Sequence, residues 1–136
     1  MAGQETPSSV VENLQRILTE SAGDVVTAYL FGSVGRGTAR PGSDLDVAVF
    51  SSQDPPPTFE GLPLRLQETL ENALRVHVDV VVLNTASPDL RHRVLRDGTL
   101  LLDRDPGRRI RFEVQTRNEF FDLEPYLVEY RRGARA

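Results

Sequence analysis

Residues 31–50 read FGSVGRGTARPGSDLDVAVF, and the parsing of this stretch decides the fold. Its first residue closes the run Val25–Phe31 (VVTAYLF), whose β-branched and aromatic composition is that of a buried strand. Gly32-Ser33 follows at once. Residues 34–43 are rich in Gly, Pro and Arg and read as a loop or one short helical turn. Residues 45–50 (LDVAVF) alternate as a second strand. Successive strand residues point to opposite faces, so Asp44 and Asp46 share one face while Leu45, Val47 and Val49 share the other. Two carboxylates at i and i+2 on a strand lie within reach of one pair of metal ions.

Outward from this stretch, helices and strands alternate. Ser9-Val10-Val11-Glu12 has capping-box spacing, and Val10, Leu14, Ile17 and Leu18 fall on one helical face, predicting a helix over about 9–21 that ends near Gly23. Residues 53–57 (QDPPP) read as a loop, because consecutive prolines cannot donate to a ladder. Leu66, Leu70 and Leu74 mark a helix over about 62–75, and residues 76–83 (VHVDVVVL) a third strand. Ser87-Pro88 reads as a cap with proline in the first turn, and Gly98 occupies the stop position of a short helix faced by Leu90, Val94 and Leu95. Residues 99–102 read as a brief fourth strand. Residues from about 108 to 131 are helical in pattern, with Pro125 expected to break or kink the helix near 121–124. Residues 1–7 and the tail RRGARA read as loose ends. The expectation is one α/β domain over 1–136, with a core over about 9–115 and a C-terminal helical extension over about 108–131.

The chain has 136 residues, 39% hydrophobic and 26% charged, enough to bury a core without staples. It contains no cysteine, which excludes a disulfide scaffold and a Cys-ligated zinc site and fits a reducing, cytoplasmic setting. No apolar run approaches the ~18 residues of a membrane span, and MAGQETPSS has no signal-peptide pattern. The net charge of -4 disfavours direct nucleic-acid binding through a basic surface. All 16 basic residues are arginine, so no lysine can act as nucleophile or phosphate ligand.

Asp79 stands in the middle of the apolar third strand, where a charge is costly unless paired or metal-bound. If that strand neighbours the second, Asp79 completes a triad with Asp44 and Asp46, as a metal ligand that also accepts the proton of an incoming hydroxyl. Crowded carboxylates resist ionisation without a cation. Mg2+ resolves the conflict, binding one or two carboxylates together with substrate phosphates. Gly32 lets the backbone approach a phosphate, the Ser33 hydroxyl adds a donor, and Arg36 or Arg40 can reach triphosphate oxygens. His77 shares the Asp79 face and can approach the site, but a packed or edge histidine is the preferred reading. His92, among Arg91, Arg93 and Arg96, reads as solvated. Phe112, Phe120, Phe121, Tyr126 and Tyr130 read mainly as core, with the surplus facing a partner.

At these residues the chain resembles the polymerase-β-like nucleotidyltransferase superfamily. The resemblance rests on FGSVGRGTARPGSDLDVAVF with VHVDVVV for the third acid. The string Gly32-Ser33-x-x-Arg36-Gly37, then Ser43-Asp44-x-Asp46, is similar to the small stand-alone MNT group, and VVVLNTASPDLRHRVLRDGTLLL to MntA-type members; Gly35 stands where that group often has Ala. The resemblance implies a small mixed β-sheet flanked by helices. It implies Asp44, Asp46 and Asp79 as catalytic metal ligands for two Mg2+ ions, and Gly32, Ser33, Arg36 and Ser43 as nucleotide contacts with ATP as substrate. It further implies an HEPN-domain ribonuclease toxin as partner, neutralised by AMP transfer to one of its tyrosines. The alternatives are a non-enzymatic antitoxin that acts by binding alone, or a small-molecule nucleotidyltransferase of the aminoglycoside type. Whether the chain forms a homo- or hetero-oligomer is left open.

Overall fold

The computed structural model describes residues 7–32, 44–53 and 61–135. The order is α1 (Pro7–Ser21), β1 (Val25–Phe31), β2 (Leu45–Ser51), α2 (Leu62–Leu74), β3 (Val78–Val82), a 3-10 turn (Leu83–Thr85), α3 (Pro88–Asp97), β4 (Thr99–Asp103) and α4 (Pro106–Arg135). The four strands form one sheet in the order β3-β2-β1-β4. β1 runs antiparallel to both neighbours, and β2 and β3 are parallel, joined through α2. This is the small mixed sheet flanked by helices that the sequence implied.

The sheet is sandwiched. Leu45, Val47 and Val49 face a core built with Leu14 and Leu18 of α1 and Leu66 and Leu70 of α2. Ala48 and Tyr29 face the other side, against Leu83, Val94 of α3 and Phe112 of α4, with Phe50 and Phe31 packed at its margin. β1 is therefore covered on both faces, which is why it reads as an unbroken apolar run.

Local chemistry fixes the helix ends. The Ser87 hydroxyl accepts from the Leu90 N–H, with Pro88 in the first turn. Gly98 caps α3 in an extended conformation, and its need is close approach: its N–H donates to the Val94 carbonyl at 2.7 Å, where a Cβ would crowd that oxygen. α4 starts earlier than the pattern suggested, because Asp105 accepts from the Arg108 N–H at 3.1 Å and Pro106 occupies the first helical position. Of the break or kink expected at Pro125, the break does not occur: one helix continues to Arg135. The carbonyl of Phe121 that Pro125 leaves without a donor sits on a face open to water, since Phe121 and Pro125 are both exposed. Phe112 is buried, whereas Phe121 is 61% exposed. His92 is half-buried rather than solvated, its ring stacked on Phe120 with centroids 3.6 Å apart. The loop expected at 53–57 lies, beyond Gln53, outside the described residues, as do residues 1–6 and the side chains of Tyr126, Tyr130, Arg131, Arg132 and Arg135. No helix among the described residues is long and apolar enough to cross a membrane.

A polar chain pins α4 to the sheet. The Tyr29 hydroxyl donates to Glu113 Oε1 at 2.7 Å, and Arg109 holds Glu113 at 3.1 Å and Asp103 at 2.8 Å. Burial first, and then the Glu113 carboxylate, push the Tyr29 phenol far above its ordinary ionisation range, so it remains a donor at all relevant pH. Tyr29→Phe removes that donor while Glu113 keeps Arg109. The expected cost is about 1 kcal/mol, read as a Tm lowered by about 3–6 °C in a thermal melt; an unchanged Tm would show the bond to be idle.

Candidate active site

The acidic residues converge at one end of the sheet, and the strand register is the cause. β1 is antiparallel to β2 with Phe31 opposite Asp46, so Gly32 emerges beside the Asp46 carboxylate. β3 is parallel to β2 with Asp46 directly beside Asp79. Side chains in register on neighbouring strands project the same way, so Asp46 and Asp79 occupy one face, that of Ala48 and Phe50. Asp44, two residues before Asp46, joins them.

Gly32 has a φ of 75°, a backbone conformation that L side chains rarely adopt. A Cβ at this position would collide with Asp46 Oδ2. Glycine is thus required twice, for the turn out of β1 and for the room the carboxylate occupies. Ser33, Arg36, Arg40 and Ser43 lie outside the described residues.

Electrostatics report the crowding. Asp46 is half-buried, and its carboxyl is held above the ordinary carboxylate range first by burial, then by Asp79 and Asp44; His77 opposes the shift. Asp44, His77 and Asp79 form a tighter group, each exposed and offering one ligand atom within 4.8 Å of the others. Asp46 borders that group through its register with Asp79. The carboxylates supply hard oxygen donors, a set suited to a divalent cation.

His77, read as a packed or edge residue, stands just before the edge strand β3 and is also a member of the cluster. It is 52% exposed. Its Nδ1 lies 2.8 Å from Glu71 Oε2 and its Nε2 lies 3.2 Å from Asp79 Oδ1. Burial lowers its basicity, but Asp79, Glu71 and Asp44 together outweigh that and raise it, favouring the doubly protonated ring. Glu71 was not singled out in the sequence. Its only signal was an acid eight residues before Asp79, on a helix whose end is set by the left-handed Arg75, with φ 59°.

Residues 12–107 match the model of the polymerase beta nucleotidyltransferase family. The protein adenylyltransferase MntA of Shewanella oneidensis is 32% identical over 87 residues, covering 63% of this chain and 60% of that protein. The match thus spans less than two thirds of the relative's length. A toxin–antitoxin structure solved with AMP-PNP superposes with a TM-score of 0.79 at 26% identity, covering 93% of this chain and 98% of the matched one. A variant of the MntA–HpeT toxin–antitoxin pair gives a TM-score of 0.77 at 26% identity, over 92% and 97%. With the family model spanning well over half of its length, the chain belongs to the polymerase beta nucleotidyltransferase family.

Proposed function

We propose that this chain transfers AMP from ATP to a tyrosine of a partner HEPN ribonuclease toxin and so acts as its antitoxin. The observation that carries the reading is the convergence of Asp44, Asp46 and Asp79 on one sheet face beside Gly32. The named relatives supply the direction: one is a protein adenylyltransferase, and another is a toxin–antitoxin pair solved with an ATP analogue.

The crowded acids fit Mg2+, because Asp46 is held back from ionising by burial first and then by Asp79 and Asp44, and a cation would relieve it. Asp44, Asp46 and Asp79 would hold two ions, which supply charge neutralisation on the triphosphate when bound. The residues of the chain do the rest. Gly32 brings the backbone close to the phosphates, with Ser33, Arg36 and Ser43 as further nucleotide contacts. Asp79, an exposed carboxylate, takes the proton of the tyrosine hydroxyl as its oxygen bonds the α-phosphorus of ATP and the bond from that phosphorus to the leaving pyrophosphate breaks.

A second reading, neutralisation by binding alone, draws on α4, where Ile110, Val114 and Phe121 stand exposed at spacings that share one helical face. One assay separates the two. With Mg2+ and labelled ATP, the wild-type chain should label its HEPN partner, and Asp44→Ala or Asp46→Ala should slow labelling by roughly 100- to 1000-fold, the scale on which a site loses a transition-state charge contact. An Asp44→Ala protein that protects against the toxin as well as wild type does would leave binding alone as the mechanism.

The same crowding predicts a metal-free stability effect. Because the folded-state carboxyl of Asp46 is raised, its unfavourable contribution is absent at low pH and appears as pH rises through the folded value. In EDTA at pH 7, Asp46→Asn should therefore raise Tm, with the gap closing as pH falls toward the ordinary carboxylate range. A lower Tm for the variant would refute the repulsion.

A further inference from the structure

Asp79 needs a fixed orientation, and strand β3 alone does not give it one: the side chain is 54% exposed at the edge of the sheet. Among the described residues, the group in contact with its carboxylate is His77, with Nε2 3.2 Å from Oδ1. His77 is itself held from behind. Its Nδ1 lies 2.8 Å from Glu71 Oε2, and that same oxygen accepts the Val78 N–H at 3.0 Å. Glu71 sits in the last turn of α2, whose Leu66 and Leu70 are locked in the core. A continuous path therefore runs from the buried face of α2 through Glu71 and His77 to one oxygen of Asp79.

We propose that Glu71 and His77 act as positioning residues that hold the Asp79 carboxylate in its working orientation, a role that rests on the reading of Asp79 as an acid of the nucleotidyl-transfer site. The pattern parallels the carboxylate–histidine pairs that orient groups around metal centres, whose loss costs roughly 10- to 100-fold in cation affinity or activity. The two residues act differently. His77 sets the direction of Asp79, and Glu71 sets the direction of His77 while tying β3 to α2.

The test titrates Mn2+ into the full chain with a non-hydrolysable ATP analogue, followed by electron paramagnetic resonance, so that no acceptor is needed. His77→Ala should weaken Mn2+ binding about 10- to 100-fold with Tm little changed. His77→Gln, whose amide nitrogen can reach the place of Nε2, should recover most of the loss. His77→Asn, which is too short, should not. Glu71→Gln keeps an acceptor oxygen for His77 and Val78 and should stay within about threefold of wild type. Imidazole nitrogen coupling to the bound Mn2+ in spin-echo spectra would overturn the proposal, since His77 would then be a ligand. So would equal affinities of wild type and His77→Ala, or a wild-type chain that binds no Mn2+. If the Mn2+ pattern holds but no AMP reaches an HEPN partner, the positioning stands and the toxin-modifying reading falls.

Discussion

The register of β2 against β3 is the constraint on which the acidic end of the sheet depends. It seats Asp46 beside Asp79, two like charges on adjacent strands. At ~4 Å such a pair costs about 1 kcal/mol in water and about 4 kcal/mol at an intermediate dielectric. The opposing force is larger. Val47, Val49 and Val78 are fully buried in the same two strands, and each contributes about 1.5–3 kcal/mol by leaving water. A slip of one residue would move those valines to the opposite face of the sheet and the aspartates into the core against α1 and α2. The apolar register thus holds together charges that would otherwise separate, and the electrostatic strain is kept where a cation can relieve it.

The same periodicity explains what could be read in advance. β1 was legible to the residue because it is buried on both faces and bounded by Gly23 and Gly32. Ser87, Pro88 and Gly98 announced α3 because capping is a local matter of side-chain and backbone donors within a few residues. The placement of Asp44 and Asp46 on one face followed from strand alternation alone.

What was not legible depends on contacts between elements. The neighbourhood of Asp79 needed the strand order, which no local pattern encodes. His77 looked like an ordinary edge histidine because its meaning comes from Glu71, six residues away but on a different element. Pro125 looked like a break because a proline is costly in a helix interior; its carbonyl partner instead lies on a water-facing side. Asp105-Pro106 is a start signal, a side-chain acceptor ahead of a proline, that lies before the apolar pattern begins, and the helix gains its first turn there.

The exposure of the cluster bears on how such a site can act. Asp44, Asp79 and His77 are all open to solvent, so their fields are damped by water and salt. A charge-driven transfer gains most when water is excluded as the reactants meet. Among the described residues, nothing covers these three groups. On the proposed reading the acceptor protein supplies the cover, closing over the carboxylates as it presents its hydroxyl. That would couple chemistry to docking: the hydroxyl would be activated only in a partner already seated, and the apolar face of α4, with Ile110, Val114 and Phe121, offers a surface on which a large partner can be held while it is modified.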